Sequence, residues 1–186
     1  MKKLEIVSYL DDLLGSNGNK PNEAKPSEIR PASRQEQLLD VARFSSAISG
    51  LSFTDAEEES VAALVFEIDN REALTERFGK DLTGMIAARF ASLLVGKVSP
   101  PDLIGHCRGE RLGIISRGVD LKQGIRFGQR VCKSLASGQI IISGQKLKLT
   151  ASVGVASTSE DAVNRGSELF TLADQRLDQA QICGGN

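Results

Sequence analysis

The stretch LIGHCRGERLGII, residues 103–115, reads as a β-hairpin. Leu103 and Ile104 lead into a polar tip, and Leu112, Ile114 and Ile115 lead out of it. Short apolar runs around a glycine-bearing polar segment are the signature of that motif. The tip is Arg108-Gly109-Glu110, with Arg111 next. Upstream, ESVAALVFEID (59–69) is a nearly continuous apolar run, as expected of a buried strand. It is followed by a helical pattern in REALTERFGKDLTGMIAARFASLL (71–94), with Gly79 as a break. Downstream, LKQGIRFGQRVCKSLA (121–136) is helical and turns Ile125, Gly128, Val131 and Leu135 inward. Two strands follow, QIIIS (139–143) and LKLTASVGVAS (147–157), joined through Ser143-Gly144-Gln145. A last helix, ELFTLADQRLDQAQI (168–182), carries Leu169, Leu172, Ala173, Leu177 and Ala180 on its inner face and ends at Gly184-Gly185. A hairpin between two strand–helix units gives the order β-α-β-β-α-β, the ferredoxin-like split βαβ class. The expected fold is α+β, with a central antiparallel sheet, helices on at least one face, and an added hairpin.

Arg34 to Gly50, RQEQLLDVARFSSAISG, reads as a helix with Leu38, Val41, Phe44 and Ile48 on one side. Before it the texture changes. Residues 15–33 hold three of the five prolines and no apolar run, which makes them a flexible linker. Residues 1–14 place Leu4, Val7, Leu10 and Leu14 on one stripe of a short amphipathic helix. So short a helix needs a surface to pack on. Two surfaces are open to it: its own domain, or another protein. The expected organisation is therefore a helix over 1–14, a linker over 15–33 and one domain over 34–186.

Bulk properties exclude several function classes. The net charge is −1 and the pI about 5.9, without the basic footprint of a nucleic-acid binder. Cys107, Cys132 and Cys183 form no CxxC pair, and with a single histidine they make a zinc site a poor reading; free thiols in a reducing cytoplasm are expected. No apolar run reaches the ~18 residues of a membrane span. Asp11 and Asp12 interrupt the N-terminal apolar stretch, so no signal peptide is expected.

Four stretches together resemble the GGDEF domain, the family that condenses two GTP molecules into cyclic di-GMP. They are VFEID, DLIGHCRGERLGII, LTASVGVAS and LFTLADQRLDQAQICGGN. Of the family's A-D-x-A-L-Y-x-A-K-x-x-G-R-N pattern, Ala173, Asp174, Leu177, Ala180, Gly184 and Asn186 fall in register. Of its T-x-S-x-G-V-A strand, Thr150, Ser152, Gly154, Val155 and Ala156 match. The resemblance covers 34–186 and implies the GGDEF, nucleotidyl-cyclase-like fold. Fold does not carry function with it, so the site is read residue by residue.

The resemblance implies divalent metals at Glu67, on the first strand, and Glu110, at the hairpin tip. Both remain carboxylates, as hard cations require, but the extra methylene of Glu67 moves its head group by about 1 Å, against the near-ideal geometry that Mg2+ demands. Asp69 keeps the second acid of that strand motif. The other implied site positions have changed chemistry. The motif reads Arg108-Gly109-Glu110-Arg111-Leu112, with a long side chain at its first position and an inverted charge at its fourth. The guanine-reading positions are Thr75 and Glu76, and threonine lacks the paired donor and acceptor of an amide. The implied triphosphate cations are Gln181 and Gly185, and the lysine after the strand motif is Glu72. In the implied product-binding R-x-x-D, Asp102 remains but Ser99 replaces the arginine. The leading D-x-L-T pattern is replaced by Ser33-Arg34-Gln35-Glu36.

A GTP triphosphate is strongly anionic, and each lost charge-assisted contact costs on the order of 1.5–3 kcal/mol. The expected function is therefore a non-catalytic GGDEF-like domain, an inactive diguanylate cyclase homologue acting in protein interaction or regulation. The alternative is a nucleotide- or cyclic di-GMP-sensing module without turnover, and behind it a residual cyclase. The expected partner is a protein, engaged through Leu4, Val7, Leu10 and Leu14 or through the hairpin, with a homodimer as one form. Nucleic acid and membrane insertion are not expected. No cofactor is expected, Mg2+ at Glu67 and Glu110 being the disfavoured alternative. An RNA-binding sheet of this topology needs exposed aromatic rings, and aromatics are 4% of the chain.

Overall fold

The computed structural model describes residues 37–53, 59–138, 140–142 and 145–184. The N-terminal helix and the linker expected over 1–33 lie outside the described residues. The element order is β1 (Leu38–Leu39), α1 (Val41–Ser49), β2 (Val61–Ile68), α2 (Arg71–Phe78), α3 (Lys80–Val95), β3 (Leu103–His106), β4 (Leu112–Arg117), α4 (Leu121–Ser137), β5 (Ile140–Ile142), β6 (Gln145–Leu147), β7 (Ala151–Ser157) and α5 (Gly166–Ile182). Five strands form one sheet in the order β1-β3-β4-β2-β7, and β5 and β6 form a separate two-stranded ribbon. All pairings in the large sheet are antiparallel except β1 with β3. The split βαβ core expected from the central hairpin is present.

β2 is apolar almost throughout because both of its faces are covered. Side chains alternate across a strand. Ala62, Leu64, Phe66 and Ile68 pack with α2, α3 and α4, while Val61, Ala63 and Val65 pack with α1 and α5. Phe66 meets Phe90 and Phe127 edge-on at 6.2 and 6.5 Å. The helical run after β2 breaks at Gly79, whose φ of 84° lies in the region open to glycine. On the other side of the sheet α5 lies directly against β7. A Cβ on Gly154 would collide with the carbonyl oxygen of Ala173. The edge strand β7 is partly blocked by Arg176, which donates to the Val155 carbonyl and pairs with Asp161 at 2.8 Å. Occupying edge groups in this way discourages pairing with other chains. The same guanidinium holds the Asp161 carboxyl below the usual carboxylate range.

Three sequence expectations need correction. Leu38 does not open a helix: Leu38 and Leu39 pair in parallel with Ile104 and Gly105. The helix starts at Val41 because Asp40 caps it, its carboxylate accepting from the Arg43 N–H at 2.8 Å. Val41 is consequently 51% exposed, while Phe44 and Ile48 are buried as expected. In α4 the buried face is Gly124, Gly128, Val131 and Cys132, and Ile125 is exposed. The two glycines at i and i+4 bring the helix onto Val153 and Val155, which turns Ile125 outward. The run 147–157 is not one strand, because Leu147 ends the small ribbon and β7 starts at Ala151.

Candidate functional site

The C-terminal end of β2, the hairpin tip and the outer half of α5 converge at one end of the sheet. Register does much of the placing. Phe66 is paired with Leu112, so the next step of the antiparallel ladder sets Glu67 beside Arg111. Asp174, Asp178 and Gln181 stand at i, i+4 and i+7 of α5, on one face of the helix. Cys107 N–H donates to the Arg111 carbonyl at 2.8 Å and closes the hairpin. Between them Gly109 (φ 74°) and Glu110 (φ 65°) are both left-handed, and the second is costly for a residue with a Cβ.

The two arginines of the tip have opposite fates. Arg108 is exposed. Arg111 turns inward, with its side chain 17% exposed. Its Nε donates to Glu67 Oε2 at 2.8 Å, Nη1 to Asp174 Oδ1 at 2.6 Å and Nη2 to Asp178 Oδ1 at 2.6 Å. Burial by itself lowers the basicity of this guanidinium. The hydrogen bonds to Asp174, Asp178 and Glu67 outweigh it, and the net pKa is raised. Gln181 Nε2 also donates to Glu67 Oε2, at 3.1 Å. Glu110 is paired with Arg71 Nη2 at 2.7 Å. Cys107 lies beside this cluster; burial and the Asp174 charge push its thiol up to about 12, so it is a neutral thiol at ordinary pH.

Glu67 and Glu110, the positions implied for metal, are thus both held by guanidinium groups. Among the described residues no group of three or more His, Cys, Asp or Glu side chains is arranged to hold a metal ion. The donor set does not fit the implied divalent ions, and no chemical step is assigned through them. Beside Glu67 opens a cleft of about 390 Å³, lined by Glu67, Asp69, Arg71, Glu72 and Gln181 among others. Among the described residues three carboxylates and one guanidinium line it; the guanidinium, Arg71, is paired with Glu110, and Glu67 with Arg111. Asp69 accepts from Ser152 Oγ at 2.7 Å, which ties it to β7. Thr75 Oγ1 donates back to the Arg71 carbonyl at 2.9 Å, and Glu76 is exposed. Leu112 is buried in the core. Sequence reasoning missed Asp174, Asp178 and Arg71 as partners of the tip. The signal was there: Asp178 stands where the family pattern has tyrosine, an acid gained opposite a base gained at 111.

A second cleft, of about 460 Å³, lies between the end of α3 and α4. Lys97, Arg126 and Arg130 line it, with Asp102 and the apolar Val98, Val119 and Phe127. Asp102 accepts from Ser116 Oγ at 2.9 Å and from the Arg117 N–H at 3.1 Å.

The model of the diguanylate cyclase GGDEF domain matches residues 42–186. The chain belongs to the GGDEF family. This GGDEF domain is 25% identical to the response regulator PleD of Caulobacter vibrioides over 130 residues, 69% of the chain. That match takes in 28% of PleD, so the chain spans less than a third of that relative. Among solved structures it resembles the active GGEEF domain of a Vibrio cholerae diguanylate cyclase (TM-score 0.69, 17% identity, 80% of this chain and 94% of that one). It also resembles the GGDEF domain of DgcB from Caulobacter crescentus in complex with c-di-GMP (TM-score 0.68, 16% identity, 88% of this chain and 96% of that one). These likenesses establish the GGDEF fold. Among the described residues no helix is long and apolar enough to cross a membrane.

Proposed function

We propose that this GGDEF domain makes no cyclic di-GMP and acts in the cytoplasm through protein interaction, in the regulation of bacterial cyclic di-GMP signalling. One observation carries the reading: the Arg111 guanidinium lies on Glu67, bridged also to Asp174 and Asp178, where a metal-dependent cyclase needs a bare carboxylate. The acidic lining of the adjoining cleft supports it. A partner, or a second copy, is engaged through Leu4, Val7, Leu10 and Leu14 of the proposed N-terminal helix, with Arg108, exposed at the hairpin tip, as a further contact. Arg111, turned inward, takes no part in docking. Four large side chains contribute about 1.5–3 kcal/mol each when buried, before ordering costs. Val7→Asp with Leu10→Asp is expected to abolish partner capture in a pull-down and to leave the melting temperature of the domain unchanged. A large fall in melting temperature with capture intact would show that the helix packs on its own domain.

A second reading, cyclic di-GMP sensing without turnover, is favoured by the cations of the Asp102 cleft. Ser99 stands where the implied motif has its arginine, so that bidentate contact to guanine is missing. Calorimetry with cyclic di-GMP is expected to show no binding tighter than about 10 μM, the loss of one or two charge-assisted contacts at 1.4 kcal/mol per decade. Submicromolar binding that Arg130→Ala removes would establish the sensing role instead.

A further inference from the structure

We propose that Glu67, Asp174 and Asp178 form a guanidinium-binding site, which Arg111 of the same chain fills and which accepts a free alkylguanidinium when that side chain is cut away. The shape of the site is the first argument. Each nitrogen of the planar Arg111 head meets a different carboxylate, at 2.8, 2.6 and 2.6 Å. A guanidinium offers its donors in a rigid fork that matches such an arrangement, whereas an ammonium is a compact point charge. Mg2+ requires oxygens at about 2.0–2.1 Å in near-octahedral order, and no group of three or more acidic, histidine or cysteine side chains among the described residues is arranged to hold a metal; Glu67 and Glu110 are each paired with a guanidinium instead. The implied metal and the acids present therefore disagree, and the acids fit a different cation.

Rigidity is the second argument. Glu67 is carried by β2, an interior strand paired on both sides, and the two aspartates by one face of α5, whose Ala173 and Leu177 are fully buried against the sheet. The walls hold their spacing whatever the hairpin does. The third argument is charge. Without Arg111 the site keeps three carboxylates, with Gln181 as a neutral donor to one of them. Asp178 is 53% exposed, which leaves a way in for a small ion from solvent. The burial that opposes a charged guanidinium is outweighed by these acids.

Chemical rescue tests this. Arg111→Ala is expected to melt about 5–10 °C below the wild type. Methylguanidinium at millimolar concentration, far below denaturing levels, is expected to recover at least half of that loss. At such sites alone it stabilises, since guanidinium salts otherwise weaken folded proteins. Urea, which has the same planar shape without the charge, and Mn2+ are expected to recover none. The wild type, already filled, is expected to respond neither to millimolar methylguanidinium nor to EDTA. Rescue by urea as strong as by methylguanidinium, better rescue by Mn2+, a folded variant that nothing rescues, or stabilisation of the wild type would each overturn the proposal. If Arg111→Ala fails to fold, Arg111→Gln carries the same comparison, keeping most of the stem without the charge. The inference shares its geometry with the proposed function but not its test. Cyclic di-GMP synthesis by the wild type would overturn that function and leave the rescue result standing.

Discussion

Gly154→Ala is expected to destroy the domain, although it adds one methyl group. That methyl would collide with the Ala173 carbonyl oxygen and the Leu177 amide nitrogen. Both are backbone atoms of α5, so no side chain can rotate away to make room. The helix must move off β7 by more than an ångström, and with it the packing of Leu169, Ala173 and Leu177, all fully buried. Overpacking against mobile side chains costs about 1–3 kcal/mol. Against fixed backbone the cost lies above that range, a large share of the 5–15 kcal/mol that holds a typical domain. The expected result is insoluble protein or a fall in melting temperature of about 10 °C or more. Gly84→Ala is the control. It lies inside α3 with nothing within 4 Å of a new Cβ, and it is expected to raise stability by about 0.5–1 kcal/mol. A Gly154→Ala protein that melts like the wild type would mean that α5 does not lie on β7 as described.

Repairing the motif is the second large effect. Arg108→Gly with Arg111→Glu restores the first and fourth positions of the family's motif, leaving Leu112 at the fifth, and the expected outcome is a less stable protein that still makes no cyclic di-GMP. The first change is mild, since Arg108 is exposed. The second replaces one cation among three acids by a fourth acid. Removing one partner from a buried ion pair costs about 3–5 kcal/mol, and the partial exposure of Asp174 and Asp178 discounts this to about 2–4 kcal/mol. Catalysis is not expected to return, because Gln181 and Gly185 supply no charge at the positions where the resemblance implies triphosphate cations, and Glu72 is an acid where it implies a lysine. Cyclase activity in the double variant, measured as cyclic di-GMP formed from GTP, would show that the phosphate grip lies elsewhere.

The two predictions rest on features of very different legibility. Gly154 lies in a strand whose small residues match a recognisable pattern, and the order of strands and helices follows from local periodicity around the 103–115 hairpin. Such features depend on neighbours in sequence. The break at Gly79 and the buried faces of β2 and α5 were legible for the same reason. The start of α1 was not. Capping by Asp40 competes with helix continuation through Leu38, and pairing with β3, more than 60 residues away, decides the outcome. The outward turn of Ile125 likewise depends on how closely α4 approaches β7. At the site, the sequence displays Arg111 as an inverted charge but not its destination. Its partners stand 44, 63 and 67 residues away and meet only once β2 and α5 are in place. Two arginines three residues apart looked equivalent in the sequence. Strand register sends one to the surface and the other into the acidic cluster.

The central claim is that side-chain cations have taken the place of metal chemistry at Glu67 and Glu110. It is tested most directly by incubating the full chain with GTP and Mg2+ or Mn2+, both in excess, and quantifying cyclic di-GMP against boiled protein. The account predicts no product above the boiled control at any metal concentration. Product that accumulates with time and disappears in Glu110→Gln would contradict it.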